Sequence, residues 1–288
     1  MKYYEVDFSI TPMNEAASDI LAALLGEVGF ETFSTTDNGL LGYIQQKDWN
    51  EEAVKDVVTT FPLPDHTITF SVAEAPDEDW NSVWEETFAP IRIDDLVCIH
   101  DMRYPTDEAV RYDIRITPRL AFGTGSHETT RMLLRALCQM DLQDKNVVDA
   151  GTGTGILGIL CAMRGASSVF AYDIDEWSVR NAEENAALND VASAMQICEG
   201  DASVLENVRG KDLLIANINR NILLADMPSF VRTLNAGAKV LLSGFYRDDI
   251  PYLINKGKEL GLELSQEWHD EEWAALLLEA NALGGVNL

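Results

Sequence analysis

The run Asn146-Val147-Val148-Asp149-Ala150-Gly151-Thr152-Gly153-Thr154-Gly155-Ile156 restricts this chain more than any other stretch of its sequence. A short apolar segment passes straight into three alternate glycines, and then into Ile156–Arg164, which has the composition of a buried helix. Glycine admits the positive φ values of a tight turn and lets a ligand approach the backbone. The helix that follows opens with N–H groups that have no intrahelical partner, which suits an anionic or polar ligand. A dinucleotide-binding turn would place its third glycine at 156, where the chain has Ile156, so the GxGxxG pattern is not met.

A GxGxG turn preceded by Asp fits instead the loop that binds S-adenosylmethionine (AdoMet), where no pyrophosphate has to be cradled. The acids downstream are spaced to match. Asp173 ends the next apolar segment, 22 residues after Gly151, where a carboxylate can accept both hydroxyls of a ribose. Asp173 or Asp175 could alternatively cap the next helix, and Asp175 suits that role. Asp201 follows the third strand, placed either to read an adenine amino group or to cap. Asp149 is expected to organise the glycine loop from below. The candidate cofactor contacts are therefore Gly151, Gly153, Gly155, Asp173 and Asp201.

Around this turn the pattern is strand, turn, helix, strand. Apolar strands are predicted at 146–150, 168–174, 195–198, 212–218 and 239–243, with helices at 178–188 and 223–234 among the segments between them. Such alternation implies a parallel, doubly wound α/β sheet with right-handed crossovers. The end differs. Segments 263–268 and 273–279 are joined by only His269-Asp270-Glu271-Glu272, so they must be antiparallel. A Rossmann-like parallel sheet closed by an antiparallel hairpin is the outline of class I AdoMet-dependent methyltransferases.

Two further runs bear on chemistry. The fourth strand ends Leu213-Leu214-Ile215-Ala216-Asn217, on the crevice shared with the glycine loop. An amide there is costly unless hydrogen-bonded, so Asn217 either holds a substrate amine in line with a sulfonium methyl or caps the next helix. The run Ile116-Thr117-Pro118-Arg119-Leu120-Ala121-Phe122-Gly123-Thr124-Gly125-Ser126-His127-Glu128-Thr129-Thr130 breaks from an apolar strand into a small-residue loop. Met132, Leu133, Ala136, Leu137 and Met140 then recur at helical spacing. The loop reads as a lid or as a capping turn.

Residues 1–75 read as a separate ferredoxin-like α+β module. A strand at 4–10, a helix capped by Asn14, a hairpin around Asp37-Asn38-Gly39, a helix over 50–61 and a strand at 67–72 give β-α-β-β-α-β. Residues 76–104 are assigned as a linker, with an aromatic helix through Trp80, Trp84 and Phe88 and a connecting strand; 105–288 form the cofactor domain.

The chain carries 48 acidic and 21 basic side chains, a net charge of −27, which disfavours nonspecific DNA or RNA binding. Residues 1–105 hold 21 acids and 5 bases, so the excess is steepest there. The N-terminus lacks the basic and apolar regions of a signal peptide, and no stretch reaches the roughly 20 apolar residues of a membrane helix. Cys98, Cys138, Cys161 and Cys198 are far apart, with no metal-ligand spacing to the four histidines. Reduced core thiols in a cytoplasmic protein without a metal are expected.

Leu120-Ala121-Phe122-Gly123-Thr124-Gly125-Ser126-His127-Glu128-Thr129-Thr130, Asp149–Gly155, Ala171-Tyr172-Asp173-Ile174-Asp175 and Ala216-Asn217-Ile218-Asn219 occur in the order and spacing of a known family. They closely resemble the PrmA family, bacterial methyltransferases of a large-subunit ribosomal protein. The resemblance extends to Asp79-Trp80, Trp84, Phe88–Ile93 and Glu272–Leu276, and so covers most of the chain. It implies AdoMet contacts from Thr130, Gly151, Asp173 and Asn217, and a Phe122–His127 loop that closes over the cofactor and the substrate amine. It also implies an N-terminal domain that docks the ribosomal protein. Phe122, His127 and Asn217 are the implied reaction-site residues. The implied reaction is methylation of lysine side chains and an α-amino group by direct in-line transfer; a monomer is expected. This sequence has Glu128 where the family has proline, Asn219 where it has a hydrophobic residue, and Thr152 where cysteine is common. The first two border the substrate pocket. A glutamine- or adenine-directed methyltransferase would show Asn-Pro-Pro-aromatic, which Asn217-Ile218-Asn219-Arg220 lacks. A noncatalytic AdoMet-binding adaptor would favour loss of Asn217.

Overall fold

The computed structural model describes residues 3–36, 38–63, 65–75, 88–117 and 123–281. The aromatic helix expected through Trp80 and Trp84, and the candidate Phe122, lie outside the described residues. The chain divides into two compact units, Met1–Val83 and Trp84–Leu288.

In the first unit the elements run β1 (Tyr3–Thr11), α1 (Glu15–Glu27), β2 (Thr32–Thr36), β3 (Gly39–Gln45), α2 (Glu51–Thr59) and β4 (Thr67–Glu74). Every neighbouring pair is antiparallel and the sheet order is β2-β3-β1-β4, the ferredoxin-like arrangement. Alternation decides which face is buried: Val6, Phe8 and Ile10 of β1 pack with Leu21 and Leu25 of α1. Both helices begin at asparagine caps. Asn14 accepts the Ala17 N–H at 2.9 Å, and Asn50 accepts those of Glu52 and Ala53. Each cap contributes about 1 kcal/mol.

The second unit opens with a small sheet, β5 (Ile91–Ile93), β6 (Val97–His100) and β7 (Tyr112–Arg115). It continues with α3 (Glu128–Gln139), β8 (Asn146–Ala150), α4 (Ile156–Met163), β9 (Ser168–Asp173), α5 (Glu176–Leu188) and β10 (Met195–Glu199). Then come β11 (Lys211–Asn217), α6 (Arg220–Thr233), β12 (Leu234–Tyr246), α7 (Ile250–Glu259), β13 (Leu262–Asp270) and β14 (Trp273–Ala280). The main sheet runs β10-β9-β8-β11-β12-β14-β13. Five strands are parallel, while β14 is antiparallel to both β12 and β13. This is the class I methyltransferase order, with its terminal hairpin where the short acidic turn required it.

A sheet covered on both faces needs strands that are apolar at every position. Val147, Leu213, Ile215 and Leu241 face one layer, with Leu133, Leu137, Ile156 and Leu160 of α3 and α4. Val148, Leu214, Ala216 and Leu242 face the other, with Leu223, Met227 and Phe230 of α6 and Leu253 of α7. Replacing one of these leucines by alanine would cost about 2–5 kcal/mol. The four cysteines are free thiols, and Cys98, Cys138 and Cys161 are buried. Among the described residues, no helix is long and apolar enough to cross a membrane.

Candidate active site

Sheet register builds the site. Ala150 of β8 is level with Tyr172 of β9 and with Ala216 of β11. One residue further, Gly151, Asp173 and Asn217 therefore emerge side by side at the carboxyl edge of three parallel strands. That edge is where open α/β sheets bind ligands.

Gly151, Gly153 and Gly155 all have positive φ, at 68°, 54° and 84°. A side chain at Gly151 would collide with Ile218, since its Cβ would lie 2.4 Å from Ile218 Cγ2. Gly155 is the N-cap of α4 and offers no side chain to the helix end. Beneath the turn, the buried Asp149 accepts the Thr152 hydroxyl at 2.7 Å and the Gly158 N–H at 3.1 Å through one oxygen. Its other oxygen has no hydrogen-bond partner among the described residues, and burial pushes its carboxyl up to about 6.

Asp173 is oriented by backbone. One oxygen accepts the Gly153 N–H at 2.9 Å, and the other accepts the Asp175 N–H at 3.1 Å. Each oxygen keeps a lone pair, a fixed bidentate acceptor for two adjacent hydroxyls. Asp175 is the helix cap, accepting the Trp177 and Ser178 N–H groups. Asp201 accepts the Ser203 N–H at 2.9 Å and caps the short turn Ala202–Leu205. It also lines a groove of about 410 Å³ between that turn and α6, with Asp226 and Arg232.

Asn217 does not cap α6; Asn219 does, accepting the Ile222 N–H at 3.2 Å. Asn217 instead donates its Nδ2 to Thr130 Oγ1 at 3.2 Å, and Oδ1 has no hydrogen bond among the described residues. This contact brings the first turn of α3 to the end of β11. The N-cap of α3 is His127, whose Nδ1 accepts the Thr129 N–H at 3.3 Å. The His127 ring meets Trp273 edge-on with centroids 4.7 Å apart, and Trp273 lies against Tyr246 at 4.4 Å. Register explains the second pair, because Tyr246 is opposite Trp273 in the β12–β14 ladder. Glu128 opens α3, where a negative charge favours the helix dipole. Its carboxyl is held below the usual range first by its own backbone N–H, and then by Arg131 and His127. Arg131 meets it at 2.8 Å.

Thr130, the three glycines, Asp173 and Asn217 thus gather at one edge, with His127 one helical turn from Thr130. Nothing in the sequence marks Trp273 and Tyr246 as a pair, since only strand register joins them. Thr154 likewise carries no sequence signal of its own; it donates its hydroxyl to the Gly123 carbonyl at 2.6 Å. The residues present suit AdoMet: a turn whose three glycines carry no side chain toward a ligand, a two-oxygen acceptor at the end of β9, and an amide at the end of β11.

A family profile described as ribosomal protein L11 methyltransferase (PrmA) matches residues 13–281. The ribosomal protein L11 methyltransferase of Phocaeicola vulgatus is 45% identical over 277 residues, covering 96% of this chain and 98% of its own. That of Bacteroides thetaiotaomicron is 46% identical over 277 residues, covering 96% and 99%. The crystal structure of a ribosomal protein L11 methylase from Lactobacillus delbrueckii subsp. bulgaricus is 31% identical, with a TM-score of 0.61. It covers 67% of this chain and 100% of that one. The sheet order, the glycine turn and a match across nearly the whole length agree: this chain belongs to the ribosomal protein L11 methyltransferase (PrmA) family.

Proposed function

We propose that this chain methylates amino groups of ribosomal protein L11, both lysine side chains and an α-amino group, by direct in-line transfer from AdoMet. The acceptor protein is the one named for its relatives. When bound, AdoMet supplies a methyl group already activated on a sulfonium. Gly151, Gly153 and Gly155 give its backbone approach, Asp173 takes the ribose hydroxyls, and Asp201 supplies an acceptor for the adenine amino group. Thr130 lines the cofactor side of α3.

The observation that carries the reading is the Asn217 amide. Thr130 takes its Nδ2, and Oδ1 has no hydrogen-bond partner among the described residues, beside Gly151 and Asp173. A lysine amine has an unperturbed pKa near 10.4, so less than about one in a thousand is neutral at pH 7. An acceptor at a partly desolvated edge can orient the N–H groups of a neutral amine and leave its lone pair free for attack. Alignment then supplies much of the acceleration. His127, with Trp273 and Tyr246, forms an aromatic wall at the start of α3, suited to the carbon stem of lysine. The strongly acidic first unit supports a role in drawing a basic ribosomal protein to the enzyme.

Asn217→Ala tests the assignment. Turnover should fall by about 100-fold, the scale of a misplaced reactant. Calorimetry with AdoMet separates the part of the loss due to cofactor binding. Unchanged turnover rejects the positioning role.

A further inference from the structure

On one face of α5 and at its C-cap, asparagine recurs at 181, 185 and 189, once per helical turn. Asn181 and Asn185 are fully buried, a costly place for amides unless they are paired. They are paired with main chain. Asn189 accepts the Arg115 N–H at 2.9 Å and donates to the Arg115 carbonyl at 2.7 Å. Asn181 donates to the Thr117 carbonyl at 3.0 Å, and Asn185 accepts the Thr117 N–H at 2.8 Å. The ladder takes the place of a neighbouring strand for the backbone leaving β7, binding alternate residues as a strand would.

Asn185 also reaches the cofactor turn. Its Nδ2 donates to the Thr154 carbonyl at 2.8 Å. Thr154, fully buried, donates its hydroxyl to the Gly123 carbonyl at 2.6 Å. Thr117 and Gly123 are thus both tied to the glycine turn, one through Asn185 and the other through Thr154. Beyond Gly123, a Cβ on Gly125 would stand 2.3 Å from Ile99 Cδ1, so this stretch is closely packed on its way to His127 and Thr130.

We propose that Asn185 and Thr154 form a clamp that fixes Thr117 and Gly123 to the glycine turn, and that both are positioning residues for methyl transfer. The inference rests on the AdoMet reading of that turn. The clamp makes the glycine turn and the start of α3 move as one body. It sets where Thr130 meets Asn217, and so where the amine stands relative to the sulfonium. Both residues act through the backbone they hold.

Thr154→Val keeps the shape and removes the hydroxyl donor, and Thr154→Ser restores it. In Thr154→Val, kcat for methylation of ribosomal protein L11 should fall by about 10- to 100-fold. AdoMet affinity by calorimetry should stay within about threefold of wild type, the signature of lost positioning. Thr154→Ser should regain most of the turnover. In the cofactor-free protein, amide exchange over Gly123–His127 should accelerate in the valine variant and return in the serine variant. A valine variant with wild-type turnover or unchanged exchange overturns the clamp, as does failure of serine to restore them. A fall in AdoMet affinity as large as that in kcat also overturns it, marking a role confined to the cofactor turn. Absence of transfer by the wild type overturns the functional reading and the clamp with it; an unaffected Thr154→Val beside an active wild type overturns the clamp alone.

Discussion

Asp149 lies wholly inside the protein beneath the glycine turn, which makes its protonation a measurable part of stability. Burial pushes its carboxyl from 3.8 up to about 6. The Thr152 hydroxyl and the Gly158 N–H pull it down, and the Asp173 charge adds to the rise. A raised value means that the folded state holds the proton more tightly than the unfolded chain does. The resulting stabilisation is fully present below pH 3.8 and is lost as pH rises through about 6. At about 1.4 kcal/mol per pH unit, the difference corresponds to about 3 kcal/mol. Asp149→Asn preserves the shape and cannot titrate. Urea unfolding of both proteins at about pH 4 and about pH 7.5 reads the effect, because carboxylates common to the two cancel in the comparison. Because a pH of about 4 lies just above the unfolded value, the stability difference should move by about 2 kcal/mol in favour of the variant between the two conditions. A difference that does not change with pH, or that moves toward the wild type, refutes the reasoning.

The turn and the charge give further tests. Gly151→Ala forces a side chain into positive φ and against Ile218, so it should cost about 1–3 kcal/mol and weaken AdoMet binding by more than about tenfold. Wild-type melting and wild-type calorimetry would reject the assigned role of that glycine. If the acidic first unit steers a basic protein, kcat/KM for ribosomal protein L11 should fall as salt rises from about 0.05 to 0.5 M. A salt-independent value would leave the charge without that role.

The glycine turn was legible because one run, Asn146–Ile156, combines an apolar strand, three spaced glycines and a helix start, each set by local chemistry. The antiparallel end was legible because four residues cannot make a parallel crossover. Other features depend on partners far away in sequence. Segment 239–243 was expected as a strand, and the strand runs instead from Leu234 to Tyr246. It continues past Ser243 because Gly244, at φ 92°, lets the chain bend around the backbone of Ile218 and pair onward to Trp273. Helix α7 leaves little trace in the sequence, since Pro251 stands in its first turn and only Leu253 and Gly257 of it are buried. The asparagines at 181, 185 and 189 do show helical spacing. Their partners, Arg115, Thr117 and Thr154, are visible only once β7 and the glycine turn lie against α5. The position of Asn217 at the strand end is legible, whereas the capping of α6 by Asn219 follows only from the folded geometry.

The most direct test of the account is the mass of ribosomal protein L11, purified and incubated with this protein and AdoMet, followed by peptide mapping. Whole methyl increments are expected on lysine side chains or the α-amino group, and none when Asp173 and Asn217 are both replaced by alanine. An unmodified target, or methyl groups on glutamine or on nucleic acid, would contradict it.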